Sequence, residues 1–77
     1  MLGAAILEIS VEEIGRNELE QINNQVYWGE SLTSVISKLR KQYPSVKVVP
    51  LEQVIQNIND QNYYEDSFLA KITYQID

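Results

Sequence analysis

Carboxylates, amines and phenols are the only side chains of this sequence that could do acid–base chemistry. Among its 77 residues there is no histidine and no cysteine. A nucleophilic hydroxyl needs a base to activate it, and that base is usually histidine. The common zinc geometries also draw on histidine and cysteine. Glu12 and Glu13 are adjacent, but neighbours on a strand point to opposite faces and do not share a substrate. A carboxylate pair could assemble across the fold, as in glycoside hydrolysis, yet a chain this short offers little wall for the cleft. The segment Asp60-Gln61-Asn62-Tyr63-Tyr64-Glu65-Asp66 holds three carboxylates in seven residues. It lacks the glycine that a calcium loop of the EF-hand type needs for its sharp turn, so it reads as a solvated connection. The expectation is a protein with no catalytic chemistry, no metal and no cofactor.

Charge and aromatic residues give the remaining candidates. The net charge of −5 belongs to the first thirty residues, where six acids (Glu8, Glu12, Glu13, Glu18, Glu20 and Glu30) face one base, Arg16; the five acids and five bases that follow cancel. An acidic domain repels phosphate backbones, which opposes binding to nucleic acid. Glu8, Glu12, Glu13, Glu18 and Glu20 instead form a candidate acidic surface for a basic partner. Lys38, Arg40, Lys41 and Lys47 are the only basic cluster, and there is no glycine-rich loop to cradle phosphate. Tyr27-Trp28 and Tyr63-Tyr64 fall at the ends of predicted elements, where aromatic side chains either close a core or support a partner surface.

The elements that must position these residues are legible from periodicity. Ser31 to Tyr43 gives the cleanest helix: Leu32, Val35, Ile36, Leu39 and Tyr43 form one stripe. Ser31 or Glu30 caps it, Lys38, Arg40 and Lys41 suit its C-terminal end, and Pro44 stops it. A second helix is predicted over 51–59 from Leu51, Val54, Ile55 and Ile58, with Pro50 suited to its first turn. Ala4 to Glu12 alternates as a strand, with Leu7, Ile9 and Val11 on its buried side; Ile6 on the other side suggests that the wet face is partly covered. Residues 46–49 read as a short strand. Phe68, Ala70, Ile72, Tyr74 and Ile76 mark the inner side of the last one. Residues 17–28 admit two readings, a helix or the second arm of a hairpin turned at Gly15-Arg16-Asn17.

These elements predict a single α+β domain over residues 1–77, a small two-layer sandwich. Its sheet of three or four strands is covered on one face by the helices 31–43 and 51–59. No apolar run approaches a membrane span, and the N-terminus, with no basic region followed by a long apolar core, does not read as a signal peptide, so a cytoplasmic protein without a membrane partner is expected. One core below about 80 residues rarely supplies more than ~3–5 kcal/mol, and without disulfide or metal the remaining support is a second subunit. The leading expectation is therefore a protein-binding or regulatory module acting as a homodimer. The alternatives are an acidic inhibitor or decoy for the nucleic-acid-binding surface of a basic protein and, with less support, a small nucleic-acid binder using the lysine–arginine cluster.

Overall fold

The computed structural model describes residues 1–61 and 64–77. It is α+β, with elements in the order β1 (Leu2–Ser10), α1 (Arg16–Asn23), β2 (Val26–Gly29), α2 (Leu32–Gln42), β3 (Lys47–Val48), α3 (Leu51–Asn59) and β4 (Ser67–Ile76). The four strands form one mixed sheet in the order β2-β4-β1-β3. β1 runs antiparallel to β4 and β3, and β2 runs parallel to β4.

The period-2 pattern of β1 and β4 divides the sheet into two faces. On one, Ala5, Leu7 and Ile9 lie beside Ala70 and Ile72; Leu7, Ile9 and Ile72 have no exposure. Val35, Ile36 and Leu39 of α2, Tyr43 just after it, Ile22 of α1, and Ile14 and Val46 of the connections close this core, with Leu19, Tyr27, Leu32, Phe68 and Tyr74 packed around it. α2 starts at Ser31, whose Oγ accepts from Ser34 N at 3.1 Å while Ser34 Oγ accepts from Ser31 N at 3.1 Å. Two of the amides that the first turn leaves unpaired are satisfied this way.

The ambiguous stretch 17–28 resolves into α1 followed by β2. Because β2 pairs only with Thr73–Ile76, the earlier part of β4 lacks a strand on that side. The side chain of Asn23 partly compensates, its Oδ1 accepting from Lys71 N at 3.0 Å. The helix thus ends by capping a sheet edge, which gives the asparagine-rich run a structural role.

Two details differ from the sequence expectation. Val11 leaves the strand and is 40% exposed, because the chain turns at Ser10, whose carbonyl accepts from Glu13 N at 3.0 Å. The covering layer on the core face is α1 with α2, whereas α3 lies toward Glu8 and Lys47, which face away from the core. Topology accounts for this. The connection β2-α2-β3 crosses the sheet one way and β3-α3-β4 crosses back, all three strands being parallel. Keeping one hand for both crossovers while the direction of travel reverses requires the helix to change face.

The candidate functional site on the open sheet face

The face turned away from the core can be followed row by row from the strand register. At one end Trp28, Gln75 and Leu2 lie side by side, and Val26, Thr73 and Ala4 form the next row. Lys71 with Ile6 and then Leu69 with Glu8 and Lys47 continue toward the polar end. The first two rows carry no charged side chain. Leu2 is 66% exposed, Trp28 61% and Val26 49%. Alternation decides this: Tyr27 points into the core, so both of its neighbours in β2 point out.

α3 adds to the apolar surface. Val54 is its buried residue, whereas Leu51, Ile55 and Ile58 are half or more exposed. Its inner side meets a polar margin, where Asn57 Nδ2 donates to the Tyr64 hydroxyl at 2.8 Å and Glu8 pairs with Lys47 at 3.6 Å. Between the start of α3 and the edge of β1 lies a groove of about 410 Å³, lined by residues that include Ala4, Ile6, Val48, Pro50, Leu51 and Lys71.

Of the aromatic candidates among the described residues, only Trp28 is freely presented. Tyr27 is partly buried against the core, and that burial raises the pKa of its hydroxyl. Tyr64 ties α3 to the segment before β4. Tyr63 lies outside the described residues.

The acidic candidates are dispersed, and three of them hold internal bonds. Glu8 Oε2 accepts from Ser67 Oγ at 3.0 Å in addition to facing Lys47. Glu13 Oε1 accepts from Ser45 N at 2.9 Å and Ser45 Oγ at 2.6 Å, which fixes the turn after β1 to the one after α2. Glu18 Oε2 accepts from the Tyr43 hydroxyl at 2.7 Å. Glu12 and Glu20 are exposed and have no side-chain partner among the described residues. Tyr43 is 4% exposed, and burial, helped by the bond and charge of Glu18, pushes its pKa up to about 12.

The basic candidates are likewise split. Lys38 Nζ donates to the Trp28 carbonyl at 3.2 Å, Arg40 Nε donates to the Val46 carbonyl at 2.9 Å, and Lys47 sits across the sheet edge with Glu8. Lys41 is exposed on α2. The first two brace the start and end of α2 against its neighbours, so the four do not form one patch.

Leu2, Val26, Ile55 and Ile58 are surface residues that their apolar character alone would assign to a core. The signal for them in the sequence is the apolar residue on the polar side of a strand, at Ile6 and again at Leu69. No helix among the described residues is long and apolar enough to cross a membrane. Comparisons with protein-family models, curated proteins and solved structures find no significant match.

Proposed function

We propose that this chain is a small protein-binding module that acts as a homodimer and presents the open sheet face around Trp28 to a partner protein. The observation that carries this reading is the pair of rows on that face without a charged side chain, where Trp28, Val26 and Leu2 stand exposed. An exposed tryptophan, here with Val26 next to it and Gln75 between it and Leu2, is the kind of residue that dominates binding energy when a partner covers it. Clustered exposure of this sort marks an interaction site more often than scattered surface leucines do. Self-association also answers the stability problem of a small single core without disulfide bonds. The reading of the acids as a decoy surface has less support, since Glu8, Glu13 and Glu18 hold partners within the chain.

Two measurements on the full chain test the reading. Sedimentation equilibrium at micromolar concentration is expected to give a mass above the monomer, and a pure monomer would remove the homodimer. Affinity capture is expected to retain a specific protein that is lost with Trp28→Ser although both baits melt alike. Identical capture by both baits would remove the role of the face.

A further inference from the structure

We infer that two copies join along the free edge of β1, antiparallel about a twofold axis at Gly3, so that the two four-stranded sheets become one. This rests on the homodimer reading and adds where its seam lies. The bonding alternation of β1 fixes which backbone groups are free. Met1 N donates to the Ile76 carbonyl at 2.9 Å and Ile76 N to the Met1 carbonyl at 2.8 Å, so the odd positions bond toward β4. The even positions point the other way, as the 2.9 Å bond from Val49 N to the Ile6 carbonyl shows. β3 pairs only with Leu7 and Glu8. The N–H and C=O groups of Leu2 and Ala4 therefore face outward, and no strand pairs with them on that side among the described residues.

A twofold axis at Gly3 sets Leu2 opposite Ala4 of the second copy, which closes four main-chain hydrogen bonds. Leu2 of the second copy then stands on the open face beside Ala4, over the groove of about 410 Å³. Charge selects a second copy as the occupant. Two chains of net charge −5 repel over most of their surfaces, but Met1 to Leu7 contain no charged side chain, their one charge being the terminal ammonium held at the Ile76 carbonyl, and the groove is lined by a single charged side chain, Lys71. The edge strand itself, Met1 to Leu7, carries no lysine or proline of the kind with which sheets normally prevent such pairing. Met1, Leu2, Val48 and Leu51 expose on the order of 400 Å² there, about half of the ~800 Å² per partner of a standard interface, which fits a weak, concentration-dependent dimer.

Amide hydrogen exchange on the full chain at several concentrations, run beside sedimentation equilibrium, tests the seam. The Leu2 and Ala4 amides are expected to slow by ~10-fold or more as the dimer forms. Leu2→Lys is expected to raise the dimer dissociation constant by ~10-fold or more by putting a charge on the edge. Should Leu2→Lys fail to fold, the wild-type exchange data decide. A dimer whose Leu2 and Ala4 amides exchange as freely as in the monomer overturns the seam and leaves the homodimer standing. A monomer at all concentrations overturns both. A monomer in which those amides slow only when a foreign strand-forming peptide is added gives the edge to another protein and also overturns the proposal.

Discussion

The Tyr43 hydroxyl donates to Glu18 Oε2 at 2.7 Å, joining the end of α2 to the first turn of α1. Glu18 Oε1 also accepts from Gly15 N at 3.4 Å, so one carboxylate caps its own helix and anchors the next. The bond needs the tyrosine neutral. Its folded pKa of about 12 lies above the ordinary value of 10.0, so the contribution is complete below pH 10 and is lost as the pH rises from 10 to 12. Burial, the largest cause of the shift, and the Glu18 bond both favour the neutral phenol, so ionisation lowers stability across that window. Urea unfolding across this window is expected to show a fall in wild-type stability that Tyr43→Phe does not share; equal slopes would mean that Tyr43 ionises freely.

Leu39 lies at the middle of the α2 stripe and is 6% exposed. Leu39→Ala is expected to destabilise by ~2–5 kcal/mol, a large share of what a domain of this size possesses. A thermal melt close to wild type would show that α2 does not seal the core.

Gly29 ends β2 where α2 crosses it. A Cβ at this position would stand 2.7 Å from Ser34 Oγ and 2.9 Å from Val35 Cγ2. Ser34 is held by the capping pair and Val35 is 1% exposed, so neither has room to yield. Gly29→Ala is expected to cost ~1–3 kcal/mol. Measured in a Val35→Ala background, which carries its own cavity cost, Gly29→Ala should cost less but still something, because the serine contact remains.

Ser31→Ala removes the acceptor for Ser34 N and is expected to cost ~1 kcal/mol, within the usual range for a helix cap. Trp28→Ser, by contrast, changes a side chain that is 61% exposed and should stay within about 0.5 kcal/mol of wild type. Denaturant midpoints for the pair check both. A large loss in Trp28→Ser would make that residue structural and weaken its role as a contact.

Much of the architecture was legible in the sequence because local patterns decide it. The stripe from Leu32 to Tyr43 located α2, Pro50 with Leu51, Val54, Ile55 and Ile58 located α3, and the alternation from Phe68 to Ile76 located β4. The side chosen by α3 was not legible, since it follows from strand order, and order depends on pairings between distant residues. Tyr27 and Trp28 were certain to face opposite ways on a strand, but only the packing of α2 selects which is inside. Asn23 carried no visible sign of its bond to Lys71, because side-chain capping of a distant strand has no sequence period. Among the described residues Trp28 was the one aromatic candidate that the fold leaves on the surface; for Leu2 and Val26 on the same face the sequence offered only the indirect sign of Ile6 and Leu69.

The pairing of β1 with β4 has a consequence in time. Leu2 to Ser10 lies against Ser67 to Gln75 along its whole length, and β2 also depends on β4. The first strand to be synthesised therefore finds its main neighbour only when the last strand has been made. Contacts of such long sequence separation slow folding, and a nascent chain holding β1, α1, β2 and α2 has no completed sheet to bury against. The sheet can close only after β4 has been made. Until that step the apolar stripe of α2 and both faces of β1 are open to other chains.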